Sequence, residues 1–157
     1  MSSEKFNMSS AGEALKVETE VSMLTEGRSM QPMLRQHRDV VTVKRVDREL
    51  KKGDAVLYPG KDGRFILHRI VKIKNGEFII RGDNNYFTEY GIKKENIVGI
   101  LKEFYRDGKY IKCETDLKYK LYTFYICHSY PMRYFWKKHL RPTLGKIKRF
   151  ILRKKVN

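Results

Sequence analysis

Residues 65–81 read FILHRIVKIKNGEFIIR, and this stretch decides the fold. Two runs rich in β-branched and aromatic residues, 65–73 and 77–81, flank Lys74-Asn75-Gly76. An Asn-Gly pair accepts the positive φ angles of a tight hairpin turn, so the stretch predicts two antiparallel strands. The same pattern recurs downstream, where residues 97–105 and 110–113 flank Asp107-Gly108. Upstream, Val40, Val41, Thr42 and Val43 form a β-branched run, and residues 55–58 follow the turn Lys52-Gly53-Asp54 before 59–64 reverse the chain. About five to seven short strands with no helix between them predict a mainly β (α+β) protein, built on a coiled or barrel-like antiparallel β domain.

The flanks read differently. Residues 1–20 form an N-terminal segment with freedom to move and a short helix expected over 10–19. Residues 21–115 are the β domain. Residues 116–157 are a basic, aromatic helical tail: Thr115 or Asp116 caps a helix, aromatics recur over 117–130, and Pro131 and Pro142 sit where first-turn prolines would start helices over 131–140 and 142–155. In the last of these Leu144, Ile147 and Ile151 share a face among basic residues, although Lys148 and Lys155 intrude on it. The tail is expected to consist of basic amphipathic helices.

Composition narrows the functions available. A chain of 157 residues fits one domain with appendages rather than two full domains. Its 34 Lys and Arg against 18 Asp and Glu give a formal charge of +16, and after Asp116 no acidic side chain occurs. Such a tail suits an anionic membrane surface or a nucleic acid. Cys113 and Cys127 are too far apart for a CxxC motif, no histidine cluster completes a zinc site, and both thiols are expected reduced. The N-terminus lacks the basic start and apolar core of a secretory signal, and no apolar run approaches the ~20 residues a transmembrane helix needs. The expected location is cytoplasmic, peripheral to the membrane through residues 117–157.

Three short motifs carry chemistry. Gly27-Arg28-Ser29-Met30-Gln31-Pro32-Met33-Leu34 puts a serine on a turn, with Gly27 allowing close approach to a substrate carbonyl and Pro32 stiffening the exit. A serine hydroxyl needs a base and oxyanion donors before it is a useful nucleophile. His68 supplies a titratable group in an apolar strand, where partial burial keeps imidazole neutral and ready to accept a proton. Asp83, in the polar turn Arg81-Gly82-Asp83-Asn84-Asn85, is suited to orient His68.

In this order, with Lys52-Gly53-Asp54 and the later Ile97-Val98-Gly99, these motifs resemble type I signal peptidases from about residue 24 to 101. Bacterial members usually carry lysine where this chain has His68; the endoplasmic-reticulum and archaeal subgroup carries histidine and a similar Gly-Asp-Asn-Asn turn. The resemblance implies a signal-peptidase-like fold and a serine endopeptidase acting on a signal or leader-type peptide, or another extended segment, without cofactor or metal. It implies Ser29 as nucleophile, His68 as general base and Asp83 as orienting acid, with the Ser29 amide and the Gly27 turn forming the oxyanion hole. Asn84 supports the same turn. The chain departs from the pattern at Gly27, where many members have serine, and in lacking a transmembrane anchor before Ser29. Near a further acidic position of the subgroup it has Thr88 and Glu89, with Glu89 a supporting candidate. Two alternatives remain: a β-domain binding module gripping nucleic acid through its tail, which the lack of an aromatic stacking platform disfavours, and a degenerate peptidase scaffold.

Overall fold

The computed structural model of the chain describes residues 11–135. Its strands are β1 (Glu20–Leu24), β2 (Val40–Lys44), β3 (Ala55–Pro59), β4 (Phe65–Lys74), β5 (Glu77–Arg81), β6 (Glu89–Ile92), β7 (Gly99–Arg106) and β8 (Lys109–Lys112). Its helices are α1 (Ala11–Val17), α2 (Leu117–His128) and α3 (Tyr130–Phe135). The strands form one curled antiparallel sheet in the order β1-β2-β7-β3-β4-β5-β6, with β8 paired to β7. The protein is therefore mainly β with a few helices.

Both expected hairpins form with the turn chemistry that the sequence requires. Lys74 pairs with Glu77 across Asn75 (φ 52°) and Gly76 (φ 77°), and Arg106 pairs with Lys109 across Asp107 (φ 48°) and Gly108 (φ 82°). Two positive φ values in succession match the right-handed twist of the flanking strands. The sequence reading missed β1 and β6. The first lies in the acidic approach to the serine turn, and the second is interrupted by Gly91 at φ 71°.

The sheet separates two cores because strand side chains alternate. Ala55 and Leu57 of β3 join Val41, Val43 and Leu101, whereas Val56 and Tyr58 join Ile70, Ile80 and Ile100. Burying each of the larger aliphatic chains contributes roughly 1.5–3 kcal/mol. Ala11 and Leu15 of α1 close the first core, so this part of the N-terminal segment is integral to the domain. Met30, Met33 and Leu34 from the serine run lie in the same core, as does Tyr119 of α2.

Asp116 caps α2, its carboxylate accepting from the Tyr119 amide at 2.7 Å. Pro131 occupies the first turn of α3, as expected. The expected basic amphipathic pattern does not describe α2. Tyr119 and Ile126 are buried against the domain, while Leu117, Leu121 and Phe124 are exposed, giving the helix apolar residues on both sides. The remainder of the helix expected over 131–140 and all of that over 142–155 lie outside the described residues. No helix among the described residues is long and apolar enough to cross a membrane.

Candidate active site

The serine turn sits in the loop between β1 and β2. Gly27 has φ +75°, a left-handed conformation that favours glycine, and the Gln31–Pro32 peptide is cis. A Cβ on Gly27 would meet nothing within 4 Å, so the glycine serves the backbone conformation rather than a close contact within the protein. Buried Met30, Met33 and Leu34 anchor the loop from below. Arg106 fastens its exit by donating to the carbonyls of Pro32, at 3.1 Å, and Met33, and to Asp39 at 2.7 Å. Asp39 also accepts from the Arg35 amide at 2.8 Å. Burial alone would raise the Asp39 carboxyl, but hydrogen bonds from Arg106 and Arg35 outweigh it and hold the group below the ordinary carboxylate range.

The polar turn after β5 grips the serine from the other side. The Asn84 amide donates to the Ser29 carbonyl at 2.7 Å, and Asn84 Nδ2 donates to the Arg28 carbonyl at 3.2 Å. Gly82 makes this approach possible. A Cβ at that position would stand 2.8 Å from the Ser29 carbonyl oxygen and 2.9 Å from Ser29 Cβ. The turn therefore acts through Gly82 and Asn84 as a mould for the Ser29 backbone.

His68 is only 4% exposed on β4. Its Nδ1 lies 3.0 Å from Glu89 Oε1 and 3.0 Å from the Tyr58 hydroxyl, which itself donates to Glu89 Oε1 at 2.6 Å. Burial and the hydrogen bond to Glu89 raise the Tyr58 phenol, so it remains protonated and supplies that donor. With the one phenolic proton committed to Glu89, the network assigns a proton to His68 Nδ1 and leaves Nε2 as the acceptor. Burial lowers the imidazole below its ordinary value of 6.5, against the pull of Glu89 and the charge of Asp83. The result is a neutral base with one free lone pair. Ser29, His68 and Glu89 line one cleft of about 590 Å³, with Gly27, Ile66 and Phe87 among its other walls. No hydrogen bond joins Ser29 Oγ to His68 in the structure.

Asp83 does not orient His68. Its carboxylate forms a bidentate pair with Arg69, Nε to Oδ1 and NH2 to Oδ2 each at 2.8 Å, and both side chains are fully buried. The Tyr122 hydroxyl adds a third bond to Asp83 at 3.1 Å. The physical reason is strand alternation: His68 and Arg69 point to opposite faces. Arg69 pairs with Arg81 in register, and Asp83 follows Arg81 by two residues toward the Arg69 side. Glu89 takes the position on His68. Arg69, which the sequence reading left without a role, also donates to the Gly53 carbonyl, Tyr119 and Thr123 and reaches Met33 Sδ at 3.0 Å. A buried arginine in an apolar strand demands an acid, and that signal was present in the His68-Arg69 pair.

One further feature shapes the cleft. Residues 65–68 of β4 pair with β3 on one side, but β5 begins its pairing only at Arg69. The opposite backbone edge of Phe65, Ile66 and Leu67 has no strand partner among the described residues and borders the cleft. An extended chain can add there by main-chain hydrogen bonds. Among the described residues, no group of three or more His, Cys, Asp and Glu side chains is arranged to hold a metal ion. No protein-family model matches the chain, and no curated protein sequence is detectably similar to it.

Proposed function

We propose that the protein is a serine endopeptidase that cleaves an extended signal or leader-type peptide, with Ser29 as nucleophile, His68 as general base and Glu89 as the acid that orients and charges against it. The observation that carries this reading is the placement of His68: its Nδ1 lies 3.0 Å from the Glu89 carboxylate, and Ser29 shares the cleft. The order and spacing of the motifs, which resemble the histidine-type signal peptidases, support it independently.

The substrate adds as a strand to the open edge of residues 65–67, with its scissile carbonyl over the serine turn. Ser29 Oγ attacks the carbonyl carbon while His68 Nε2 takes the hydroxyl proton. The imidazolium is stabilised by Glu89. The Ser29 amide, which donates to no backbone carbonyl among the described residues, is available to the developing oxyanion. His68 then passes its proton to the leaving amine, an acyl-enzyme remains, and a water deprotonated by the same base releases the acid product. The same reading has the enzyme working in the cytoplasm, held at an anionic membrane surface through residues 117–157.

The test is incubation of the full chain with a complex library of extended peptides, followed by mass spectrometry of new termini. Cleavage by the wild type should be lost in Ser29→Ala and His68→Ala while both variants still fold. Undiminished cleavage by Ser29→Ala overturns the assignment.

A further inference from the structure

Among the described residues, three buried side-chain polar atoms lack a hydrogen-bond partner: Arg81 Nε, Ser129 Oγ and Arg133 Nε. They belong to one region, where the end of β5 meets the junction of α2 and α3. Arg81 is 5% exposed, and its guanidinium carbon sits 3.4 Å from the centre of the Tyr130 ring. Neither Arg81 nor Arg133 makes a side-chain hydrogen bond or an ion pair within the described chain. The nearby acid, Asp83, is already taken by Arg69 and Tyr122. Arg81 feels the charge of Asp83, but that carboxylate is already paired with Arg69, and Arg133 lines the same cleft as Asp83. Burying a cation without a counter-charge is costly, and stacking on one phenol ring offsets only part of that cost.

A cleft of about 560 Å³ opens beside this region, with Arg133, Asp83, Tyr122, Tyr125, Tyr130 and Asn85 among its walls; Arg81 stacks on Tyr130, one of those walls, without lining the cleft itself. Arginine forks suit oxyanions, phosphate above all. The outer face of α2 indicates the source of that oxyanion. Leu117, Leu121 and Phe124 recur at helical spacing and are 69%, 61% and 66% exposed. Lys118 and Lys120 flank this stripe, and Tyr125 and Met132, both on the cleft wall, continue the exposed apolar surface to its mouth. No acidic residue follows Asp116 to repel an anionic surface. A soluble phosphate has no use for the stripe, whereas a phospholipid at a bilayer surface engages both features.

We propose that the cleft between the 82–85 turn and the α2–α3 junction binds the phosphate of an anionic phospholipid, with the Leu117–Leu121–Phe124 stripe entering the membrane interface. The inference rests on the peripheral-membrane part of the reading above and is independent of the chemistry at Ser29.

The experiment follows thermal stabilisation of the full chain at matched ionic strength by three probes: inorganic phosphate, monomeric dihexanoyl-phosphatidylglycerol, and glutarate. Phosphate should stabilise the protein, and the lipid should do so at a concentration at least about tenfold lower. Arg133→Gln should weaken both responses by about tenfold or more, and Phe124→Ser should weaken only the lipid response. Wild-type responses in Arg133→Gln overturn the site. Stabilisation by phosphate with no gain for the lipid overturns the membrane assignment, and stabilisation by glutarate alone makes the cleft one for an acidic peptide and overturns it too. Ser29→Ala should keep the whole response, which separates failure here from failure of the peptidase reading.

Discussion

Replacing Glu89 by Gln tests the catalytic reading most directly, because it removes a charge and keeps a shape. Glu89 Oε1 accepts from Tyr58 at 2.6 Å and lies 3.0 Å from His68 Nδ1. The amide oxygen of Gln can still accept from Nδ1, so the imidazole keeps its direction, but the imidazolium formed during attack loses its counter-ion. A hydrogen bond to a charged partner is worth about 1.5–3 kcal/mol, and if that is realised only in the transition state kcat falls about 10- to 150-fold with little change in KM. A second readout is the pH profile. Glu89 pulls the His68 pKa upward against burial, so the acid limb of kcat should move to lower pH in Glu89→Gln. The contrast is Asp83→Asn, which breaks a fully buried ion pair with Arg69. That change should cost about 3–5 kcal/mol and lower the thermal midpoint by roughly 6–20 °C, with a much smaller effect on turnover per folded molecule. The assay is cleavage of the fastest peptide from the library, with melting curves alongside. Full activity in Glu89→Gln, together with an inactive Asp83→Asn of unchanged melting temperature, would refute the reasoning and return the orienting role to Asp83.

Two other outcomes follow from the same geometry. Since burial holds the imidazole of His68 below 6.5, wild-type kcat/KM should rise with pH through a midpoint under that value and then level off. The unfolded chain takes up this proton near 6.5 before the folded one does, so stability should fall as pH drops from about 6.5 through the folded pKa. His68→Gln should remove that part of the slope in thermal melts between about pH 5 and 8. Gly82→Ala places a methyl group 2.8 Å from the Ser29 carbonyl oxygen. It should cost about 1–3 kcal/mol in melting experiments and, by displacing the nucleophile, about 100-fold in cleavage rate; an unchanged rate would mean that the serine turn tolerates the shift.

The strands of the sheet were legible where local chemistry is decisive. Asn75-Gly76 and Asp107-Gly108 announce their hairpins because few other pairs accept two positive φ angles. β1 was hidden in a polar approach segment, and β6 by Gly91, since both acquire their conformation from neighbouring strands rather than from propensity. At the candidate site, Ser29 and His68 come to one cleft as their motifs suggested. The acid did not follow. Sequence order put Asp83 within plausible reach, but which face it serves depends on the register of β4 with β5, a non-local quantity. Glu89 entered the sequence reading only as a supporting residue, because the proximity that joins it to Tyr58 and His68 exists only in the folded sheet.

The partners of Arg69 bear on how much of this protein can be transplanted. One guanidinium joins the 52–54 turn, the serine loop, the 82–85 turn and two side chains of α2. The minimal autonomous unit therefore cannot stop at the last strand. A chain shortened at Asp116 would strip Tyr119 and Thr123 from a completely buried cation and flood it with solvent. Grafting the sheet into another host would have to carry α2 with it, and the helix cannot be exchanged as a detachable cassette.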